Sequence, residues 1–143
     1  MEKRILGIDY GKVRIGLAVS DPLRIIARGL PTLPNNEKVV ENILIITQEY
    51  SVEIIVVGMP LTLKGEKGTI AKEVENFIQK IKNKTSLEVI EYDERFTSKI
   101  AEQTIINLGV NKKKRQQKEK IDELAAVILL QNFLDQTKHS FGC

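Results

Sequence analysis

Length, composition and charge already exclude several classes of protein. The 143 residues suit one domain that can bury a hydrophobic core without disulfide or metal crosslinks. Hydrophobic residues make up 42% and charged residues 29%, as in soluble globular proteins, and no apolar run approaches the roughly 20 residues of a membrane-spanning helix. The single cysteine, Cys143, excludes an internal disulfide and a cysteine metal site. Because the N-terminus lacks a signal-peptide pattern, we expect a cytoplasmic protein.

The net charge of +3 arises from one short segment. Residues 112–120, KKKRQQKEK, contain six basic residues and one acidic residue, which leaves 16 basic and 18 acidic residues for the rest of the chain. A basic excess confined to one segment is typical of a patch that contacts nucleic acid. A solvated loop would carry the same pattern, so charge alone leaves both interpretations open.

The first third of the chain predicts a three-stranded antiparallel meander. Residues 5–8 and 15–19 are short apolar runs separated by DYGKVR, a pattern typical of two strands joined by a tight turn. Residues 24–33 form a third extended run. Pro31 and Pro34 favour an edge position for this strand, because proline cannot donate to a sheet ladder.

The rest of the chain alternates helices with strands. A helix capped by Asn35 or Asn36 is predicted to reach about residue 50, and the β-branched run over residues 52–57 has the composition of a strand buried on both faces. Further elements are predicted as a helix over 69–84, a strand over 87–93, a helix from Thr97 or Ser98 to Gly109, and a final helix over 119–136.

This order of elements predicts one α/β domain over residues 1–143. Right-handed crossovers give a mixed five-stranded sheet of order 3-2-1-4-5, in which strand 2 is antiparallel and helices flank the sheet. The C-terminal ends of strands 1, 4 and 5 then meet at one edge. Ligands of open α/β sheets bind beyond such an edge.

Carboxylates from distant parts of the sequence are predicted to meet there. Asp9 ends strand 1, and Asp93 and Glu94 end strand 5. Asp122 falls in the first turn of the last helix. Such a cluster repels itself unless cations neutralise it, and oxygen-only ligands suit Mg²⁺ or Mn²⁺. Two ions about 3.5–4 Å apart would stabilise the attacking and leaving oxygens of a phosphodiester displacement.

Each carboxylate also has a purely structural interpretation. An aspartate shortly before a glycine, as at Asp9, is common in turns, and Asp122 would complement the dipole of its helix. Asp93 and Glu94 would lie where a strand passes into a loop and would form a salt bridge with Arg95. Because successive strand residues face opposite sides, only one of these two carboxylates is expected to reach a shared site.

Four sequence blocks resemble the YqgF family of Holliday-junction-resolvase-like nucleases. In chain order they are GIDYGKVRIGLAVSD, GMP, DERFTS and KIDELAAVILLQNFLD, and they span nearly the whole chain. The resemblance implies a ribonuclease-H-like fold and a metal-dependent nuclease whose acidic triad is Asp9, Glu94 and Asp122. The family is associated with maturing the 5′ end of precursor 16S rRNA, and it has been proposed to resolve four-way DNA junctions.

The combined prediction is a Mg²⁺- or Mn²⁺-dependent endonuclease acting on structured nucleic acid, with precursor rRNA favoured over branched DNA. Asp9 would bridge both ions, while Glu94 and Asp122 would each complete one; Asp93 replaces Glu94 if the strand register shifts by one residue. Contacts to nucleic acid are predicted for basic and polar side chains near this edge: Lys12, Arg14, Arg95, Thr97, Lys112, Lys113, Lys114, Arg115 and Lys118.

Two other functions fit parts of the sequence. The strand–turn–strand opening also resembles the phosphate loop of actin-like sugar kinases and ATPases, but these need a second lobe, for which 143 residues leave no room. A nucleic-acid-binding ribosome-assembly factor without catalysis would carry the same basic segment and would not use its acidic cluster.

Overall fold

The computed structural model describes residues 3–60, 68–93 and 118–140. Within these ranges the chain forms five strands and three helices. In chain order they are β1 (Arg4–Asp9), β2 (Arg14–Ser20), β3 (Ala27–Pro34), α1 (Val39–Glu49), β4 (Val52–Met59), α2 (Thr69–Lys84), β5 (Glu88–Asp93) and α3 (Lys118–Ser140). The helix predicted from Thr97 or Ser98 to Gly109 lies outside the described residues. None of the described helices is long and apolar enough to cross a bilayer.

The strands form a single sheet of order β3-β2-β1-β4-β5. β2 runs antiparallel to both β1 and β3, whereas β4 runs parallel to β1 and β5. The predicted strand order and the predicted antiparallel strand 2 are therefore confirmed. β4 lies between β1 and β5, and its β-branched residues are buried on both faces: Ile55, Val56 and Val57 have no exposed surface.

Three predicted boundaries are wrong. The final helix ends at Ser140 rather than at residue 136, and the other two errors involve hydrogen bonds of a polar side chain. The third strand begins at Ala27 rather than at residue 24, because Asp21 accepts hydrogen bonds from the amides of Ile25 and Ile26 at 2.7 and 2.8 Å and holds a turn there. Arg24 in this turn has a φ of 60°, which no strand residue adopts.

α1 begins at Val39, later than the predicted caps suggest. Asn35 is not a cap, because its side-chain amide donates to the carbonyl of Gly11 at 2.8 Å. Asn36 forms a turn before the helix by accepting from the amide of Lys38 at 2.9 Å. Lys38 occupies the N-cap position and makes no side-chain capping bond.

The helices cover the two faces of the sheet separately. The first face, which holds Leu6, Ile8 and Val57, packs against α1 and α2. The opposite face, which holds Ile5 and Val56, packs against α3. We call these the α2 face and the α3 face. Because strand residues alternate between the faces, the side chain at each strand end can be placed on one of them.

A row of small residues lets α3 approach the sheet closely. Gly7, Ala18 and Gly29 are paired across β1, β2 and β3. A Cβ atom on Gly7 would lie 2.8 Å from the Cβ of Leu130, and one on Gly29 would lie 2.6 Å from the Cγ of Glu123. Larger side chains in this row would push the helix away from the strand that carries Asp9.

Candidate functional site

The carboxyl ends of the three parallel strands meet at one edge of the sheet, as predicted. Asp93 at the end of β5 pairs with Met59 at the end of β4, and Ile8 of β1 pairs with Val57. Asp9 follows Ile8 and closes β1. β1 and β5 are separated by β4 alone, so Asp9 and Asp93 lie on strands about 10 Å apart.

Asp9 and Asp93 belong to opposite faces of the sheet. Asp9 is two residues after Gly7, which lies under Leu130, so Asp9 belongs to the α3 face, where it is half-buried. On β5, the ring of Tyr92 meets Phe133 of α3 edge-on, with centroids 5.8 Å apart. Asp93, the next residue, therefore belongs to the α2 face.

The turn between β1 and β2 carries two of the predicted basic contacts beside Asp9. Lys12 is exposed in this turn, and Arg14 begins β2 on the same face as Asp9, because it lies four residues before Ala18 of the α3 face. The amide of Asn35 donates to the carbonyl of Val13 at 2.9 Å, in addition to the side-chain bond to Gly11. A Cβ atom on Gly11 would collide with the backbone oxygen of Arg14. Two hydrogen bonds and an obligatory glycine thus hold the turn in place.

The family described as "RuvX: Holliday junction resolvase" matches residues 3–136. The chain belongs to this family. The matched range contains the strand that ends at Asp9, the turn that carries Lys12 and Arg14, and most of α3. The resemblance inferred from the four sequence blocks is therefore confirmed.

Relatives of known name extend over nearly the full chain. A relative from Sulfurihydrogenibium sp. (strain YO3AOP1) is 46% identical over 139 residues, which cover 96% of this chain and 93% of the relative. One from Bacteroides fragilis (strain ATCC 25285) is 41% identical over 133 residues, which cover 92% and 96%. Both are named as candidate pre-16S rRNA nucleases.

A solved structure of Thermus thermophilus RuvC in complex with a Holliday junction has the same fold. It superposes with a TM-score of 0.58 and 17% sequence identity, and the alignment covers 94% of this chain and 96% of that one. This likeness confirms the predicted ribonuclease-H-like fold class of the RuvX-family chain.

The structure leaves part of the predicted site undescribed. Glu94, Arg95, Thr97 and the basic residues 112–115 lie outside the described residues. Asp122 and Lys118 fall within α3, but their side chains also lie outside what the structure describes. Among the described residues, no three acidic, histidine or cysteine side chains form a group that could hold a metal.

The negative charge of Asp93 affects the neighbouring tyrosine. Burial beneath α3 raises the pKa of Tyr92, and the Asp93 carboxylate raises it further, whereas the nearby side chain of Gln136 acts in the opposite direction. Tyr92 is therefore a neutral hydroxyl near neutral pH. In this RuvX-family chain, the end of β5 therefore carries the Asp93 carboxylate on the α2 face and the uncharged Tyr92 hydroxyl on the α3 face.

Sequence reasoning missed a cleft on the α2 face, lined by Tyr10, the residue that follows Asp9. This cleft, which we call the Tyr10 cleft, has a volume of about 250 Å³ and lies between the start of α1 and the first three turns of α2. Its lining includes Tyr10, Asn35, Glu73, Asn76, Phe77 and Lys80. No single-sequence signal marks the cleft, because its polar residues come from three separate elements and each resembles an ordinary surface residue.

Proposed function

We propose that this RuvX-family protein is a divalent-metal-dependent endonuclease that hydrolyses phosphodiester bonds at the 5′ end of precursor 16S rRNA. The observation that carries the proposal is the position of Asp9 at the carboxyl end of a central strand, half-buried on the face that α3 covers. Family membership supports the nuclease class, and the names of relatives 41–46% identical support the rRNA substrate.

The proposed metal ligands are Asp9, Glu94 and Asp122. Asp122 is four residues before the buried Ala126 and eight before Leu130, so helical spacing supports a position on the sheet-facing side of α3. Strand alternation supports Glu94 over Asp93, because Asp93 belongs to the α2 face and the next residue in an extended chain would belong to the α3 face. We therefore propose Glu94 as the ligand.

The donor set fits a hard divalent cation. Asp9 supplies carboxylate oxygens at the edge, and the proposed partners would add only further carboxylates, which suit Mg²⁺ or Mn²⁺. When bound, such ions would stabilise charge on the phosphate oxygens and lower the pKa of a water molecule. The half-buried environment of Asp9 limits the access of competing solvent and strengthens its interaction with a cation.

The chain's basic residues would bind and orient the phosphate backbone. Arg14 belongs to the same face as Asp9, and Lys12 is exposed in the adjoining turn. We propose that Arg95, Thr97, residues 112–115 and Lys118 extend this surface. Each phosphate contact would release a counterion, so binding should weaken steeply as the salt concentration rises.

The description of the family favours a second candidate substrate, a four-way DNA junction. Both substrates are structured nucleic acids with an accessible phosphodiester bond, and the same carboxylates would serve either. The two candidates differ in the sugar and in the branch geometry, so a direct comparison of substrates distinguishes them.

The test uses labelled precursor 16S rRNA and a labelled four-way DNA junction, each with and without Mn²⁺. Asp9→Asn should lower cleavage by more than about a hundredfold and leave folding intact, because metal ions contribute several kcal/mol of transition-state stabilisation and about 1.4 kcal/mol corresponds to tenfold. Asp135→Asn, which alters an exposed carboxylate of α3, is the matched control and should cleave normally.

Two outcomes would contradict the proposal. Unchanged cleavage by the purified Asp9→Asn variant would show that Asp9 is not a ligand of a catalytic metal. Tight binding of precursor rRNA by the unaltered protein, without cleavage at any metal concentration, would favour a ribosome-assembly factor that binds RNA without cutting it.

A further inference from the structure

We propose that the Tyr10 cleft binds one unpaired nucleobase of the substrate and that it prefers guanine. This inference rests on the proposed function, because it assigns a base-recognition site next to the proposed scissile phosphate. The position of the cleft, the carboxylate of Glu73, the aromatic wall and the exposed Lys80 support this assignment.

The cleft lies at the end of β1, on the face of the sheet opposite to Asp9. Tyr10 follows Asp9 in the chain, and the two side chains belong to opposite faces of the sheet because strand residues alternate. A nucleic-acid strand passing over the carboxyl edge could thus place a phosphate at Asp9 and the adjoining base on the α2 face. Asn35 lines the cleft and also donates a hydrogen bond to Gly11 in the β1–β2 turn, so it connects the cleft to the turn that follows Asp9.

Glu73, which lines the cleft, has a carboxylate oxygen without a hydrogen-bond donor among the described residues. The Oε2 atom of Glu73 is buried and has no hydrogen-bond partner within the part of the chain that the structure describes. Leaving a buried polar atom without a partner costs free energy, and the cost is larger for a charged group. Because this oxygen has no exposed surface, a ligand reaches it when the Glu73 side chain turns toward the cleft. A ligand with N–H groups would then remove this cost, whereas a phosphate would be repelled by Glu73.

Guanine matches this acceptor better than the other bases do. A carboxylate accepts hydrogen bonds and donates none, and guanine presents two adjacent donors, its N1–H and its 2-amino group. Adenine and cytosine present one amino group next to an acceptor. Uracil presents one N–H between two carbonyl oxygens, which would be repelled by Glu73. Asn76, on the same wall, can donate to the guanine carbonyl through its amide.

The size and the aromatic wall of the cleft also suit a single base. The volume of about 250 Å³ falls below the roughly 300–1,000 Å³ typical of sites for drug-sized ligands. Tyr10 packs against Phe77 with ring centroids 5.1 Å apart, which fixes its ring while it remains part of the lining. Unpaired bases stack on such rings. Lys80, which is exposed on α2, can pair with the phosphate of the bound nucleotide.

The test measures binding of short oligouridylates that contain one guanosine or one inosine, which lacks only the 2-amino group. Fluorescence anisotropy in EDTA prevents cleavage during the measurement. The unaltered protein should bind the guanosine oligonucleotide about tenfold more tightly, as expected for one hydrogen bond to a charged acceptor. Glu73→Gln should abolish this preference, whereas the control Glu49→Gln, on the exposed end of α1, should retain it.

Equal binding of guanosine and inosine, or a preference that persists in Glu73→Gln, would overturn the inference. If Glu73→Gln does not fold, Asn76→Ala serves instead, because Asn76 is exposed; it should weaken guanosine binding about threefold or more, and unchanged binding would refute base recognition. Cleavage of precursor rRNA without any guanosine preference would refute the cleft alone. Failure to bind any of the oligonucleotides would refute it too, and failure to cleave any nucleic acid would refute the proposed function.

Discussion

Replacing Gly7 by alanine measures how closely α3 must approach β1 for the site to form. The added Cβ would lie 2.8 Å from the Cβ of Leu130, 3.4 Å from its Cγ and 3.5 Å from its Cδ1. Optimal carbon–carbon separations are about 3.5–4.0 Å, so α3 would have to move by about 1 Å. Rotation of the leucine side chain cannot relieve the contact, because Leu130 Cβ is attached directly to the helix backbone.

Overpacking of this kind costs typically about 1–3 kcal/mol. For a chain of this length, that loss lowers the melting temperature by about 3–10 °C. Urea denaturation followed by circular dichroism gives the free energy of unfolding directly. Gly68→Ala is the matched control, because a Cβ there meets nothing within 4 Å; Gly68 is the N-cap of α2, where alanine caps less well, so the loss should stay within about 1 kcal/mol.

The same variant should lose cleavage beyond any loss of folded protein. Asp122, a proposed metal ligand, belongs to the same helix as Leu130, and a displacement of about 1 Å in a catalytic site can cost roughly a hundredfold in rate. A Gly7→Ala protein that is as stable and as active as the unaltered chain would refute both the close approach of α3 and its role in assembling the site.

Two further perturbations test the turns at the two ends of β2. Asn35→Ala removes the hydrogen bond to the carbonyl of Gly11, so unfolding in urea should show a loss of about 1 kcal/mol; an unchanged stability would contradict the role of this bond. Asp21 has a pKa below its ordinary value because the amides of Ile26, Ile25 and Leu23 donate to its carboxylate, although burial acts in the opposite direction. Its contribution to stability is therefore present above the ordinary aspartate pKa of about 3.9 and is lost as the pH falls through the lowered value. Asp21→Asn should be less stable near neutral pH, and its difference from the unaltered protein should shrink in acid; a difference independent of pH would refute the assignment.

Local patterns in the sequence were sufficient to predict the strands and their order in the sheet. The apolar runs predicted every described strand, and the periodicity over residues 69–84 matches α2 at both ends. Handedness of the crossovers then left a single strand order, which the sheet confirms. These predictions succeed because hydrophobic periodicity and backbone chirality act over short segments and do not depend on distant partners.

Contacts between distant residues decided the remainder, and no local pattern contains them. Asn35 resembles a helix cap, yet it bonds to Gly11, which is 24 positions earlier in the chain. Gly7 resembles a weak strand residue, but its small size is needed because Leu130 lies directly above it. The assignment of Asp93 to the α2 face and the cleft around Glu73 likewise depend on how helices pack on the sheet. By itself, the sequence determined the strand order and the edge at which Asp9 lies. Only the tertiary structure decided which face and which neighbours each side chain has, because periodicity specifies a buried side but not the residue that covers it.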